Sequence, residues 1–214
     1  MKCDKRYMLL YAVTDRAWVG EQTLYEQVEA ALRGGVTCVQ LREKALNDAE
    51  FLQEAKEIHA LCRRYGVPFI VNDNVDVAIA CGAEGIHVGQ EDMAAGEVRR
   101  RVGDGMLLGV SVHTVEEARQ AVANGADYLG VGAVFPTSTK TDVDQMPGET
   151  LRAICRAVDV PIVAIGGINR GNIGELAGSG VDGVALVSAI FSATDIEAAC
   201  RELRALAERM VGAG

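Results

Sequence analysis

Eight short apolar runs, spaced along the whole chain, constrain its fold more than any other sequence feature. Each run is continuous rather than alternating in polarity, and each is followed by a polar or glycine-rich turn. Continuous runs of this length are typical of parallel strands that are buried on both faces. The predicted strands cover 7–13, 36–41, 67–71, 85–88, 106–110, 127–131, 161–165 and 183–187.

Apolar residues recur at helical spacing in the segments between these runs. The predicted helices cover 21–33, 48–65, 114–124, 149–158 and 196–210. Asn47 or Asp48 is expected to cap the second of them, since both residue types are favoured N-caps. Thr114 followed by Glu117 predicts a capping box at the third.

A glycine turn precedes every even-numbered strand, at positions 35, 82, 125 and 180. Glycine is expected just past the end of a helix, so the turn marks a repeating unit of two strands and two helices. Eight strands alternating with eight helices predict an α/β fold, a single (β/α)₈ TIM barrel forming one catalytic domain over 1–214. An open, doubly wound sheet is the alternative, but no GxGxxG sequence follows the first strand.

Composition limits the classes of function and partner. A net charge of −9 disfavours nonspecific nucleic-acid binding, which needs a basic face. No apolar run reaches membrane-spanning length, and the first residues do not resemble a signal peptide. The six cysteines form no CxxC pair and lie mostly in apolar runs, as buried structural thiols do. We therefore expect a cytoplasmic protein with no nucleic-acid or membrane partner, whose assembly into a homo-oligomer the sequence leaves open.

Charged residues gather where the predicted strands end, which is where barrel enzymes place their chemistry. Asp73 and Asp92 follow the third and fourth strands, and two carboxylates without histidine or thiolate partners suit Mg²⁺. Arg42, Lys44 and Lys140 add positive charge from other loops. A metal with cations is the usual means of binding a diphosphate and stabilising it as a leaving group. The competing interpretation is that each aspartate only caps a helix.

A second anion site is predicted after the last two strands. The segment 166–169 reads GGIN, and 187–189 reads VSA. Barrel enzymes commonly bind phosphate at this position through backbone N–H groups and a short helix N-terminus. A plain tight turn is the alternative. The histidines are weaker indicators: we expect His59 at the surface or its boundary, His87 inside the barrel or in the helix layer, and no catalytic base at His113.

Seven motifs, in order along nearly the whole chain, resemble the thiamine-phosphate synthase family, also called thiamine-phosphate pyrophosphorylase. They are QLREK at 40–44, VND at 71–73, GIHVGQED at 85–92, VSVHT at 110–114, PTSTK at 136–140, IGGIN at 165–169 and ALVSAI at 185–190. The resemblance implies a transferase that joins a pyrimidine diphosphate to a thiazole phosphate and releases pyrophosphate.

The resemblance also implies a role for each matching residue, and the sequence departs from the family at none of them. The residues implied to bind the pyrimidine diphosphate are Gln40, Leu41, Arg42, Glu43, Lys44, Asn72, Ser111 and Lys140. Those implied to bind the thiazole phosphate are Thr137, Ser138, Thr139, Gly167, Val187 and Ser188. Asp73 and Asp92 are implied to hold one Mg²⁺ per subunit. Lys44, Ser111 and Lys140 are expected to take part in catalysis.

The family implies a dissociative reaction, in which the diphosphate leaves before the new C–N bond forms. The thiazole nitrogen attacks without losing a proton, so no general base is required. Ser111 is interpreted as a hydrogen-bond donor rather than a nucleophile, because no activating base is evident beside it in the sequence. Three alternatives remain: a thiazole phosphate tautomerase, a sugar-phosphate isomerase or epimerase, and a non-catalytic barrel that binds phosphorylated ligands.

Overall fold

The structure, a computed structural model, describes residues 3–136 and 146–213. Eight parallel strands form a closed barrel in sequence order, and the last strand pairs with the first. The strands are β1 (Leu10–Val13), β2 (Cys38–Leu41), β3 (Phe69–Asn72), β4 (Gly85–Val88), β5 (Leu107–Val112), β6 (Tyr128–Val131), β7 (Ile162–Ile165) and β8 (Gly183–Leu186). The predicted TIM barrel is confirmed, and the open-sheet alternative is wrong.

Helices surround the barrel. They are α1 (Leu24–Arg33), α2 (Asp48–Tyr65), α3 (Val75–Cys81), α4 (Ala95–Val102), α5 (Val115–Ala123), α6 (Gly148–Ala157), α7 (Ser188–Phe191) and α8 (Ile196–Gly212). The predicted bounds of α2 are confirmed, and Asn47 is its N-cap within a capping box. The helix predicted from 21 begins at Leu24, because Thr23 and Glu26 form a capping box at that point.

Two local predictions are wrong. The first predicted strand starts too early, since Lys5–Met8 is a 3₁₀ helix that Asp4 caps. At α5, Thr114 accepts the N–H of Glu117, but the Glu117 carboxylate accepts the N–H of His113 rather than that of Thr114. A complete capping box is therefore absent from α5.

The strict alternation of strands and α-helices fails once. A 3₁₀ helix, Ile173–Leu176, connects β7 to β8 where the pattern predicts an α-helix. The connecting segment 166–182 is rich in glycine, which disfavours helix by about 1 kcal/mol per residue relative to alanine. The short α7 then follows β8 directly.

The glycine turn before each even-numbered strand is accompanied by a recurring type of contact, a hydrogen bond from the backbone of one strand to a side chain near the start of the next. In each repeat, a side chain that precedes an even strand accepts a backbone N–H from the preceding odd strand. The acceptors are Thr37, Glu84, Asp127 and Asp182, and their donors are Leu10, Phe69, Leu108 and Ile162, all at 2.9 Å. These contacts satisfy donors at the amino ends of the strands, where a buried unpaired N–H would be costly.

Two apolar layers complete the fold. The larger lies between the strands and the helices, and the smaller fills the barrel with side chains that include Tyr11, Ile70 and Leu107. Cys3, Cys38, Cys62 and Cys200 are buried in these layers, which fits the structural role predicted for the thiols.

Candidate active site at the carboxyl ends of the strands

The carboxyl ends of β2 to β5 bring three predicted substrate-binding side chains to the mouth of the barrel. Gln40 lies near the end of β2 and is buried, and Asn72 is the last residue of β3. Ser111 lies within β5, because this strand continues to Val112 rather than ending at 110. The side chains of all three residues face the barrel interior and line it at the carboxyl end of the strands.

Asp73 is held in an unusual backbone conformation. Its φ is +62°, and it is the one non-glycine residue in the described ranges with a positive φ. For a residue with a Cβ this region costs about 1–2 kcal/mol. The Asp73 N–H donates to the His87 carbonyl at 2.8 Å, and Asn72 Nδ2 donates to Asp73 Oδ1 at 2.7 Å. Backbone strain of this kind is commonly found at functional sites.

Neither aspartate of the predicted metal site caps a helix. Asn74 is the N-cap of α3, and Ala94 holds that position at α4, so the capping interpretation is wrong for both. Asp92 instead accepts the Gly89 N–H at 2.7 Å, which shapes the turn after β4. Asp73 forms an ion pair with Lys44.

Asp92 is close enough to Asp73 to influence its ionisation. Burial raises the pKa of Asp73, the Lys44 ammonium lowers it, and the neighbouring Asp92 raises it again, with a net shift upward. Two neighbouring carboxylates repel each other when both are ionised, so the pair favours a shared proton or a bound cation. Within the described residues, no three Asp, Glu, His or Cys side chains cluster as metal ligands.

The loop after β2 is held to the end of β1 by a hydrogen bond and an ion pair. Thr14 is fully buried, and its hydroxyl accepts the Arg42 N–H at 3.0 Å. The guanidinium of Arg42 is paired with Asp15 at 3.3 Å. This pairing holds the positive charge of Arg42 beside the end of the barrel.

The Glu43 carboxylate accepts hydrogen bonds from the backbone of its own loop. Its carboxylate accepts the N–H groups of Lys44 at 2.8 Å and Ala45 at 2.7 Å, and Arg16 Nε donates to it at 2.7 Å. Burial opposes its ionisation, but the hydrogen bonds from Arg16 and from the Ala45 N–H outweigh burial and lower its pKa. The side chain is 2% exposed and Arg16 also pairs with Glu54, so the Glu43 carboxylate orders the loop that carries Arg42 and Lys44.

His87 points into the barrel and contacts Ser111. Its Nε2 lies 2.9 Å from Ser111 Oγ, because β4 and β5 are neighbours. The expectation that no base lies beside Ser111 is therefore wrong. The other ring nitrogen faces the hydroxyl of Tyr128 at 3.1 Å rather than a carboxylate. A nucleophilic triad needs a group that stabilises the imidazolium, and a neutral phenol is a poor one.

The other two histidines lie away from this cluster. His59, expected at the surface or its boundary, is 9% exposed: its ring nitrogens contact the Cys81 carbonyl and Glu84 at 3.0 Å each. These two contacts account for its burial. His113 is exposed, with Glu117 at 3.3 Å from its Nδ1.

The predicted phosphate site is built from glycine and a helix start. Gly166 and Gly167 have φ of +100° and +64°. A Cβ at Gly167 would lie 2.3 Å from the Pro136 carbonyl oxygen, so only glycine fits at this position. After β8, Val187 is the N-cap of α7 and Ser188 is its first residue. The first N–H groups of a helix have no acceptor within it, so these groups can bind an anion.

Four predicted site residues lie outside the described ranges. They are Thr137, Ser138, Thr139 and Lys140. Their assignments stay predictions.

The family model described as thiamine monophosphate synthase matches residues 10–190. The chain belongs to this family. It is 48% identical to the thiamine-phosphate synthase of Clostridium tetani over 91% of this chain and 93% of that protein. It is 51% identical to the thiamine-phosphate synthase of Chloroflexus aurantiacus, with 92% and 91% covered.

Solved structures agree with these sequence comparisons. Thiamine phosphate pyrophosphorylase from Pyrococcus furiosus superposes with a TM-score of 0.90 at 40% identity, covering 97% of this chain and 99% of that one. As a member of the thiamine monophosphate synthase family, the chain is a transferase. No helix in the described part of the chain combines the length and the apolar character that crossing a membrane requires.

Sequence reasoning about this family member missed several residues that support the site. Thr14 and Asp15 stood in the right place, directly after β1, but nothing in their order showed that they hold Arg42. Tyr11 and Tyr128 lie in strands, where the pattern indicates only their apolar character. Their hydroxyl groups could have indicated a role in the site, since a buried tyrosine usually finds a hydrogen-bond partner.

Proposed function

We propose that this protein condenses 4-amino-2-methyl-5-(diphosphooxymethyl)pyrimidine with 4-methyl-5-(2-phosphooxyethyl)thiazole to give thiamine phosphate and pyrophosphate. The observation that carries the proposal is the ion pair of Asp73 with Lys44 at the mouth of the barrel, beside Asp92, whose carboxylate raises the pKa of Asp73. Membership of the family supports the same reaction. A tautomerase that only moves a proton would have no use for this arrangement.

The residues present fit one Mg²⁺. Two neighbouring carboxylates, without histidine or thiolate, match the preference of this ion for hard oxygen ligands. Mg²⁺ usually keeps several waters and binds one or two carboxylates together with substrate phosphates. Asp73 and Asp92 would hold it, and when bound it would neutralise charge that develops on the diphosphate. Among the described residues no third carboxylate, histidine or cysteine joins this pair, and such a site is completed by a phosphorylated substrate.

Cationic side chains would hold the diphosphate. Arg42 and Lys44 stand on the loop that Glu43 orders, and Lys140 is proposed to join them. The C–O bond between the pyrimidine methylene and the diphosphate breaks first, and both electrons leave with the diphosphate. Fixed positive charge stabilises this leaving group more strongly in a site that excludes water. Gln40, Leu41, Asn72 and Ser111 are proposed to bind the same substrate.

The thiazole phosphate is proposed to bind across the barrel mouth. Its phosphate would accept N–H groups near Gly167, Val187 and Ser188, where a glycine allows close backbone approach and the first N–H groups of α7 have no acceptor within the helix. Thr137, Ser138 and Thr139 are proposed to contact it from the loop after β6. This placement would set the ring nitrogen opposite the reactive carbon and increase the rate by orientation.

The second step needs no proton transfer. The amino group of the pyrimidine donates electrons and stabilises the methylene cation, and the thiazole nitrogen then attacks this carbon with its lone pair. Ser111 would donate its hydroxyl proton in a hydrogen bond to the diphosphate. The His113–Glu117 pair is solvent-exposed and has no part in this scheme.

The proposed reaction also indicates the partners and the location of the protein. Both substrates are small phosphorylated molecules, and no nucleic acid or membrane is required. We expect the protein in the cytoplasm, where its thiols stay reduced. Formation of a homo-oligomer stays open.

The proposal is tested by mixing the purified protein with both substrates and Mg²⁺, with EDTA as the control. We expect equal amounts of thiamine phosphate and pyrophosphate, and neither product after chelation. Binding of the thiazole phosphate without turnover would overturn the proposal in favour of a tautomerase or a non-catalytic binder. Production that survives complete removal of metal would overturn the role of Asp73 and Asp92 as metal ligands.

A further inference from the structure

A continuous chain of hydrogen bonds crosses the interior of the barrel. Gln40 Nε2 donates to the Tyr11 hydroxyl at 2.9 Å, and the hydroxyls of Tyr11 and Tyr128 are 2.8 Å apart. Tyr128 then contacts His87 Nδ1 at 3.1 Å, and His87 Nε2 contacts Ser111 Oγ at 2.9 Å. The chain joins five strands, and its two ends are predicted substrate-binding side chains.

A glycine makes the central link of the chain possible. His87 on β4 and Tyr128 on β6 are both in register with Gly109 on β5, so β5 separates their backbones. A Cβ at Gly109 would lie 2.1 Å from Tyr128 Cζ and 2.5 Å from His87 Nδ1. Only the absence of a side chain on β5 therefore lets the imidazole and the phenol meet.

One order of protons satisfies every link of the chain. In this order the Gln40 amide nitrogen donates to the Tyr11 hydroxyl, the Tyr11 hydroxyl donates to Tyr128, and the Tyr128 hydroxyl donates to His87 Nδ1. Burial raises the pKa of both tyrosines well above the usual range, so both hydroxyls keep their protons. In this order of protons a neutral His87 carries its hydrogen on Nε2 and donates it to Ser111 Oγ.

We propose that Tyr11, Tyr128 and His87 are positioning residues that orient the Gln40 amide and direct the Ser111 hydroxyl proton toward the diphosphate. Because Ser111 Oγ accepts from His87, its own hydrogen is available to an anionic ligand. The chain also couples the two ends of one substrate, since Gln40 is proposed to contact the pyrimidine and Ser111 the diphosphate. The inference rests on the proposed function for these two contacts, whereas the order of protons in the chain is independent of it.

The first test is the tautomer of His87 in the substrate-free protein. Nitrogen NMR of ¹⁵N-histidine-labelled protein at about pH 8, where an ordinary imidazole is neutral, distinguishes the two tautomers. We expect His87 as the Nε2–H tautomer in the unmodified protein, and a shift toward a mixture in Tyr128→Phe and in Gly109→Ala. His59 and His113 serve as internal references whose signals should not move. An Nδ1–H tautomer, or a signal unchanged by Tyr128→Phe, would overturn the proposal.

The second test is kinetic and isolates the route through Ser111. Tyr128→Phe should lower kcat/KM for the pyrimidine diphosphate about tenfold and leave KM for the thiazole phosphate unchanged, as the loss of an orienting partner does. In a Ser111→Ala background the same substitution should have a smaller effect, because the part of the effect that acts through Ser111 is already lost. Effects that simply multiply would show that the tyrosine does not act through Ser111 and would overturn the proposal.

Variants with matched chemistry separate function from folding. Tyr11→Phe removes a second hydroxyl of the chain and should reproduce the effect of Tyr128→Phe, whereas Tyr65→Phe removes an exposed hydroxyl and should change nothing. Unchanged unfolding midpoints for the tyrosine variants would exclude a folding defect. If the unmodified protein forms no thiamine phosphate, the proposed function fails, but the NMR test of the hydrogen-bond order still stands by itself.

Discussion

The ammonium group of Lys44 is paired with Oδ2 of Asp73, across the gap between the loops that follow β2 and β3. One carboxylate oxygen of the predicted metal site is therefore occupied by a cation that is proposed to bind the diphosphate. The other carboxylate oxygen, Asp73 Oδ1, accepts a hydrogen bond from Asn72 Nδ2 at 2.7 Å. Binding of a divalent cation and binding of the diphosphate would both change this pair, so the two events should depend on each other.

Asp73→Asn should separate activity from stability. Loss of one metal ligand should lower kcat/KM at limiting Mg²⁺ by about 100-fold or more, because a bound metal stabilises several kcal/mol of developing charge. The raised pKa of Asp73 means that its ionised form opposes folding at neutral pH, so the unfolding midpoint of the metal-free protein should not fall.

Asp76→Asn is the matched control for that experiment, since its exposed carboxylate lies three residues further along the chain. It should keep full activity. Equal losses in the two variants would argue against a specific role for Asp73.

Glu43→Ala should release the loop after β2. The change leaves two backbone N–H groups and the Nε–H of Arg16 without their acceptor, so the free energy of unfolding should fall by about 2–3 kcal/mol. KM for the pyrimidine diphosphate should rise roughly tenfold through displacement of Arg42 and Lys44, while KM for the thiazole phosphate stays the same. Glu57→Ala, at an exposed carboxylate on α2, should alter neither the free energy of unfolding nor KM for the pyrimidine diphosphate. An unchanged KM for the pyrimidine diphosphate would mean that the loop keeps its position without Glu43.

Gly183→Ala should disrupt the barrel where β8 passes the residues before β1. A Cβ at this position would lie 1.9 Å from the Met8 carbonyl oxygen, a contact that backbone atoms cannot relieve cheaply. We expect a loss of several kcal/mol in urea unfolding, or failure to fold.

Gly174→Ala provides the comparison, because nothing lies within 4 Å of a Cβ built there. This variant should be neutral or more stable by about 0.4–1 kcal/mol. Similar stabilities for the two variants would show that the close approach at Gly183 is not a constraint.

Stability should fall steeply at alkaline pH under reducing conditions. Burial raises the pKa of Cys3, Cys62 and Cys200 to about 12 and that of Cys155 to about 11. In the unfolded chain these thiols ionise near pH 8.5, so stability is complete below that pH and is lost as pH rises toward the folded values. Each thiol contributes about 1.4 kcal/mol per pH unit in this window.

Urea unfolding at about pH 8 and about pH 10 measures this fall. A Cys62→Ala, Cys200→Ala double variant should show a shallower fall than the unmodified protein, because two of the raised groups are gone. A free energy of unfolding that stays constant between these pH values would contradict the burial of the thiols.

The sequence predicted the barrel well because its evidence is local. Continuous apolar runs, helical spacing and the glycine turns each depend on residues close together in the chain, and α2 was predicted to the residue. The same reasoning placed Asp73, Asp92 and Lys44 at one end of the barrel, since all parallel strands present their carboxyl ends there. It failed at the connection between β7 and β8, where a 3₁₀ helix replaces the α-helix.

The amino-acid sequence by itself determined the order of the eight strands, the family, and the placement of Asp73, Asp92 and Lys44 at the carboxyl ends of the strands. Only the tertiary structure decided which side chains meet. The contact of His87 with Tyr128 depends on the missing side chain of Gly109 on the strand between them, and the strain at Asp73 depends on the β4 carbonyl that accepts its N–H. Such contacts join residues far apart in the chain, and their distances are fixed by strand register and packing, which no local pattern encodes.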